Sequence, residues 1–391
     1  MSEQLARRPG GGPSPARTVG IEMSDSNGHR SAPTRPRLVS ILGARPEIIQ
    51  AAPLATALEP LVDEVLVHTG QHYDVAMSGS QLADTELPEL AHYLGVGSWP
   101  DHVQLRLSEA RIGEVLDLER PTAVLVRGDT NATLGGARAA VARRLPLIHV
   151  EAGLRSWRRD MPEERNRVLT DHVSDVLFAP TEAARRNLAA EGVAGEVHVT
   201  GDVMCDMLMR WANRLPDDAP AGDYLLATVH RNYNTDDDAR LAAVLACLGA
   251  APCRVLFPVH PRTRKRMELA GLRAPANVEL LDPVPYRRML VLERGALAIA
   301  TDSGGVQREA YVWGVPCVTL REETEWVETV QTGWNALVGV DRERFVESLA
   351  RPRPAARPPV FGDGRAAQRI AALIGAHLGA TTASPREKVY V

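Results

Sequence analysis

Short apolar runs recur along this chain, each ending in a small or charged turn and leading into an amphipathic stretch. That alternation confines it to parallel sheets covered by helices. The runs Leu38 to Gly43, Val65 to Gly70, Ala123 to Gly128, Leu147 to Glu151, Val176 to Pro180 and Val197 to Gly201 read as strands. Between them lie helical stretches such as Ile48 to Leu58, Glu109 to Leu116 and Thr133 to Arg144, with apolar residues three and four apart. A break rich in Pro and Asp, Leu215-Pro216-Asp217-Asp218-Ala219-Pro220, interrupts the pattern. It then restarts with Tyr224 to Val229, Val255 to Val259, Val278 to Leu281, Ala296 to Ala300 and Val315 to Leu320.

The fold class that follows is α/β, two Rossmann-like, doubly wound parallel-sheet lobes with a cleft between their strand ends. A length of 391 residues suits two lobes. The boundaries expected are a disordered tail over 1–36, a first lobe over 37–205, a second lobe over 206–361, a helix over 362–380 packing back on the first lobe, and a tail over 381–391. The first tail is rich in Pro, Gly, Ser and Arg without periodicity, which is why disorder is expected there.

Composition excludes several classes. A net charge of −4 with 4% aromatic residues gives neither the basic face nor the stacking platforms of a nucleic-acid binder. No apolar run approaches membrane length. Cys205, Cys247, Cys253 and Cys317 show no metal spacing, so reduced core cysteines, a cytoplasmic location and no bound metal are expected.

The chemistry concentrates in LIHVEAGLRSWRRDMPEERNRVLTDH, Leu147 to His172. Glu151 stands at a strand's carboxyl edge, and Glu163-Glu164 open a helix at Pro162, with Arg155 and Arg167 nearby. Ligands bind open α/β sheets at such edges, and charged groups there are costly unless paired or used. A purely structural salt-bridge network with Arg155 and Arg167 is the competing account. Asp129 closes the third strand in VLVRGDTNAT and reads equally well as a helix N-cap or a cleft carboxylate. His230 and His260 end two strands of the second lobe at matching places. Arg45 is an obvious anion partner after the first strand, and His72 follows the second as either a ligand contact or a cap. In ATDSGGVQREA the turn Ser303-Gly304-Gly305 opens a helix whose N–H groups suit a diphosphate, with Glu309 placed for ribose hydroxyls or simply on the surface. No GxGxxG follows the first strand, so no redox dinucleotide is expected.

The motifs GARPEIIQAAPL, VHTGQHYDVAMS, VRGDTNATL, HVEAGLRSW, MPEERNRVLTDH, VTGDVMCD, VHRNYN, FPVHPRTRKR, TDSGGVQREA and TEWVE together resemble the non-hydrolysing UDP-N-acetylglucosamine 2-epimerase family, in the family's order, from about Arg37 to beyond Gly339. The resemblance implies a GT-B architecture, a homodimer, a UDP-sugar substrate, no cofactor, and inversion at C2 by elimination and re-addition of UDP. It implies that Asp129, Glu151 and Glu163 are the acid/base and oxocarbenium-stabilising set, without deciding which serves which face. It makes Arg167 the residue that orients one of them and His230 a support for the departing diphosphate or a proton. Arg45, His72, Arg155, His260, Ser303, Gly304, Gly305 and Glu309 become substrate contacts. The TEWVE, HTGQHYD and MPEERNRVLTDH variants are similar to a branch acting on more decorated UDP sugars. The chain departs from the family where many relatives carry Lys at Gln50, Glu at Tyr233, and Arg at Trp326 and Tyr73. The first departure removes a positive charge expected beside the phosphates. The alternatives are a hydrolysing epimerase that releases UDP, and a glycosyltransferase or inert binder on the same fold.

Overall fold

The computed structural model of the chain describes residues 35–70 and 87–381. The expectations for residues 1–34, for His72 and Tyr73, and for the last residues lie outside the described residues.

The first sheet holds β1 (Arg37–Leu42), β2 (Asp63–His68), β3 (His92–Tyr93), β4 (Ala123–Arg127), β5 (Leu147–Val150), β6 (Val176–Ala179) and β7 (Glu196–Val199) in the order β3-β2-β1-β4-β5-β6-β7. The second holds β8 (Tyr224–Thr228), β9 (Arg254–Pro258), β10 (Val278–Leu281), β11 (Ala298–Thr301), β12 (Cys317–Thr319) and β13 (Asn335–Leu337) in the order β10-β9-β8-β11-β12-β13. Every pairing is parallel, with Val39 opposite Val65 and Val124 in the first sheet and Ala300 opposite Ala227 and Val318 in the second. Both faces of such sheets are covered, which is why strands like LIHV are buried throughout. The eleven apolar runs are all strands. β3 and β13, two and three residues long, have no counterpart among them because they are too short for a period to show.

Each lobe reverses its winding once, between β1 and β4 and between β8 and β11. Chain segments leaving those neighbours diverge to opposite faces and open a crevice at the carboxyl ends. Asp129, His230 and Asp302 all stand just past these ends.

Leu38, Leu54, Leu58, Leu125, Ile148 and Phe178 form the main core of the first lobe together with Ile370, Ile374 and Leu378. The helix Ala366–Thr381 therefore returns from beyond the second sheet to the first lobe. Burying each of those last three side chains contributes roughly 1.5–3 kcal/mol before chain entropy is subtracted. Its amino end is held by the Asp206 carboxylate, which accepts the N–H groups of Ala366 (3.0 Å) and Ala367 (2.6 Å). Burial pushes the Asp206 carboxyl up to about 6, against the pull of those two N–H groups. In the second lobe Leu225, Ala227, Phe257, Val318 and Phe345 make the corresponding core.

Two apolar patches join the lobes: Ile49, Met204, Leu208 and Trp211 against Tyr286 and Leu290, and Ala152, Leu154 and Cys205 against Tyr311, Trp326 and Phe361. The four cysteines form no disulfide. Among the described residues no helix is long and apolar enough to cross a membrane.

Candidate active site

At the end of β4 the chain turns through Gly128, and Thr130, not Asp129, caps the next helix, Asn131–Ala142. The Thr130 hydroxyl accepts the N–H groups of Ala132 (3.2 Å) and Thr133 (3.3 Å). The Asp129 carboxylate is thereby left to pair with Arg167. Arg167 spends its other amino group on Glu164 (2.9 Å) and is almost wholly buried.

Glu151 follows β5 with φ +68°, in the left-handed region that costs a non-glycine residue about 1–3 kcal/mol. A polar knot behind it holds that conformation. His149 Nδ1 meets Asp171 Oδ1 at 2.7 Å and its Nε2 meets the Gly128 carbonyl at 2.9 Å, while the Gly153 N–H donates to Asp171 at 3.1 Å. Gly153 itself has φ +83°, and a Cβ there would lie 2.4 Å from the Ala184 carbonyl oxygen, so no other residue fits.

Arg155 belongs to this knot. Its guanidinium binds Asp171 at 2.8 Å and Glu191 at 2.7 and 2.6 Å, and the residue is 2% exposed. This corrects the expectation that it contacts substrate: its donors are engaged inside the first lobe. The competing network is also corrected, because Arg155 pairs with neither Glu151 nor Glu163.

Glu151 points at the second lobe. Its Oε2 accepts from Arg308 at 2.8 Å and from the Gln50 amide, and the same Arg308 amino group reaches Asp202 at 2.9 Å. The Arg308 guanidinium lies 4.1 Å above the Trp326 ring, a stacking that a guanidinium favours and an arginine at 326 would not offer. Burial pushes the Glu151 carboxyl above the ordinary glutamate range; Arg308 pulls it back, and Asp202 and Asp129 push it further up. Gln50, where many relatives carry lysine, thus donates its amide to this carboxylate.

The adjacent glutamates divide. Glu164 accepts from the Ser156 N–H (3.0 Å) and Oγ (2.9 Å), the Trp157 N–H (2.8 Å) and Arg167, which makes it the clamp of the loop after Glu151. Glu163, on the first turn of the helix Pro162–Val173, is partly exposed and meets Arg231 of the second lobe at 3.0 Å.

On that lobe, Asp302 after β11 organises the turn after β8. It accepts the N–H groups of His230 (3.0 Å) and Arg231 (3.0 Å) and the Asn234 amide (3.0 Å), and meets His230 Nδ1 at 3.1 Å. Burial alone would raise the Asp302 carboxyl, but His230, Asn234 and the N–H groups outweigh it and hold it low. Nδ1 being engaged, the half-exposed His230 ring has Nε2 left for a ligand. Glu325 is buried, and there too Arg321, Arg167 and Arg231 outweigh burial and hold the carboxyl down at about 2.

Ser303 caps the helix Gly304–Trp313. Its two glycines differ: a Cβ on Gly304 would lie 2.4 Å from Glu325 Oε1, whereas on Gly305 the nearest atom would be Ser303 Oγ at 3.7 Å. Gly304 is required by packing against Glu325, and only Gly305 offers an open approach to the helix N–H groups. Glu309 is not a surface residue: it is 4% exposed and accepts the Tyr286 hydroxyl at 2.7 Å. His260 caps the helix Pro261–Leu269 through Nδ1 and is exposed. Arg45 opens the helix Arg45–Leu58 past β1. The side chain of Arg45 lies outside the described atoms, like all of His72.

The structure thus brings Asp129, Glu151, Glu163, Arg167 and His230 to one seam. It adds Arg308, Arg231, Asp302, Glu325 and Asp202, which sequence reasoning passed over. Among the described residues no group of three or more His, Cys, Asp or Glu side chains is arranged to hold a metal ion.

A family model described as UDP-N-acetylglucosamine 2-epimerase matches residues 55–375. The chain belongs to that family. It is 42% identical over 349 residues to a "UDP-N-acetylglucosamine 2-epimerase homolog" of Methanococcus maripaludis, covering 85% of this chain and 98% of the relative. It is 40% identical to the UDP-2,3-diacetamido-2,3-dideoxy-D-glucuronate 2-epimerase of Pseudomonas aeruginosa, covering 86% and 98%. The crystal structure of Methanocaldococcus jannaschii UDP-GlcNAc 2-epimerase in complex with UDP-GlcNAc and UDP superposes with a TM-score of 0.80 at 37% identity, covering 86% of this chain and 99% of that one. The two lobes are accordingly those of the GT-B-type fold shared with these epimerases.

Proposed function

We propose that the chain inverts C2 of a UDP-2-acetamido sugar without hydrolysing it, UDP-N-acetylglucosamine being the reference substrate. C2 has no neighbouring carbonyl, so its proton is not lost by enolisation. Elimination avoids the difficulty: a base takes the C2 proton, the C1–O bond breaks with its electron pair going to UDP, and a C1=C2 double bond remains. Delivery of a proton to the other face of C2, with UDP re-adding at C1, gives the epimer.

The observation that carries this reading is the convergence of Asp129, Glu151 and Glu163 on one seam, each opposed by an arginine. A binding module for an anionic diphosphate gains nothing from three carboxylates. The raised pKa of Glu151 suits a group that both takes and returns a proton, and the paired acids stabilise positive charge growing at C1. Arg167 orients Asp129. The His230 ring and the N–H groups behind Gly305 stabilise the departing diphosphate. Retention of UDP is supported by the enclosure of the seam, where Glu151 and Arg308 side chains are 13% and 5% exposed and leave little room for competing water.

The test is a product assay by NMR with UDP-N-acetylglucosamine and UDP-2,3-diacetamido-2,3-dideoxy-D-glucuronate. The expected outcome is an equilibrium mixture of C2 epimers, still linked to UDP, from at least one of them. Free UDP accumulating in step with a free sugar would establish hydrolysis instead, and tight UDP binding with no product would establish a binder.

A further inference from the structure

The two oxygens of Glu151 have different surroundings. Oε2 accepts both the Gln50 amide and the Arg308 guanidinium, while Oε1 makes no hydrogen bond among the described residues. Oε1 lies over the turn at Gly128. A Cβ built on that glycine would meet Oε1 at 4.0 Å, with no atom from beyond the turn nearer, so the space beside this oxygen is open. The Gly128 backbone is pinned beneath it: its N–H donates to the Val150 carbonyl at 3.1 Å, and its own carbonyl meets His149 Nε2 at 2.9 Å. Asp129 is the next residue along the same turn.

On the first lobe, Gln50 is what makes the two oxygens unequal. It stands within the helix Arg45–Leu58, 2% exposed, with Nε2 on Glu151 and its own Oε1 buried without a partner. Turning the amide over would set its carbonyl against the carboxylate. The bond to Glu151 therefore fixes the orientation, although the other end goes unsatisfied. The charged groups bearing on Glu151 are Arg308 from the helix Gly304–Trp313, Asp202 ahead of the helix Val203–Ala212, and Asp129 after β4. Gln50 adds a donor to this set without adding a charge.

We infer that Gln50 is a positioning residue for the C2 inversion: with Arg308 it holds Oε2 and leaves Oε1, over Gly128, as the atom that takes and returns the proton. This rests on the reading of Glu151 as the acid/base group given above. An oxygen already accepting two donors is the weaker base of the pair, and a carboxylate held at one oxygen presents the other in a fixed direction. Because the donor is neutral, the carboxyl keeps the raised pKa that suits returning a proton, which a lysine here would lower.

The test compares rates across pH for the full-length parent, Gln50→Met and Gln50→Lys, with whichever of the two UDP sugars above the parent turns over, and UDP affinity by calorimetry alongside. Methionine keeps the length and apolar bulk and removes the donor. Its kcat should fall about 10–10²-fold, with KM and the Kd for UDP within about threefold of the parent. Its acid limb should move to higher pH, because losing a donor to the charged form raises a carboxyl pKa. Lysine restores a donor and brings a positive charge, so kcat should recover relative to Gln50→Met and the limb should move the other way, to lower pH. A packing defect would not shift the two limbs in opposite directions, and retained UDP binding shows that the variants are folded. A parent that forms no epimer would refute the reaction assigned to the site, and this role with it. If the parent epimerises and both variants keep its kcat and pH profile, or shift the limb the same way, the reaction stands and the role of Gln50 is overturned.

Discussion

Glu151→Gln lowers kcat by about 10²–10⁴, the usual range for loss of a general acid/base, while the Kd for UDP stays within a few-fold of the parent. Glutamine keeps the shape and still accepts from Arg308 and Gln50 through its one oxygen, but it neither takes nor returns a proton. The substitution is mild toward the fold for a physical reason. Burial already disfavours the charged form of this carboxyl, so a neutral amide relieves a cost, and Arg308 keeps Asp202 as its counter-ion. The raised pKa also places the acid limb of the rate profile above the ordinary glutamate range, since the carboxylate that takes the proton is lost as pH falls through the folded-state value. Parallel measurement of kcat by NMR and of UDP affinity by calorimetry checks this. A variant with kcat within threefold of the parent would remove Glu151 from the chemistry.

Arg155→Met costs stability and not substrate affinity. Removing the guanidinium leaves Asp171 with only His149 and the Gly153 N–H, and Glu191 with no arginine, in a region where Arg155 and Asp171 side chains are fully buried. Breaking a buried pair from one side typically costs about 3–5 kcal/mol, because the surviving charge stays desolvated. A pronounced fall in Tm is expected, with KM for the UDP sugar unchanged in the fraction that folds. The loop carrying Glu151 is fastened by the same knot, so any kinetic loss falls on kcat. A variant with unaltered Tm and a strongly raised KM would put Arg155 back in the substrate site.

The two cases show which features of this chain are legible in its residues. Strands such as LIHV and VLFA are visible because a parallel sheet covered on both faces needs continuous apolar runs, and the turn that follows each run marks the edge where ligands bind. Asp129, Glu151 and Glu163 stand out for that reason, as acids where apolar strands or a helix cap end. Their partners do not. Arg308 is 157 residues from Glu151, and Arg231 is 68 from Glu163; each is one arginine among many until the lobes are placed together. Arg155 shows the converse: an arginine four residues past a strand-end glutamate reads the same whether it turns to the cleft or to Asp171, and only the backbone path through Gly153 decides. Asp302 and Glu325 were visible within TDSGG and TEWVE, yet nothing local distinguishes a carboxylate that organises a turn from one that fills it. Gly304 and Gly305 look identical in sequence and differ only in what stands opposite, Glu325 or open space.

The central claim is that carboxyl groups at the lobe seam remove the hydrogen from C2 while UDP departs and then return one to the opposite face. Turnover of UDP-N-acetylglucosamine in deuterium oxide, followed by NMR of the product, tests it most directly. One deuterium at C2 of the epimer, and its gradual appearance at C2 of recovered substrate, is the predicted result. Epimer formed with the original hydrogen still at C2 would contradict the account.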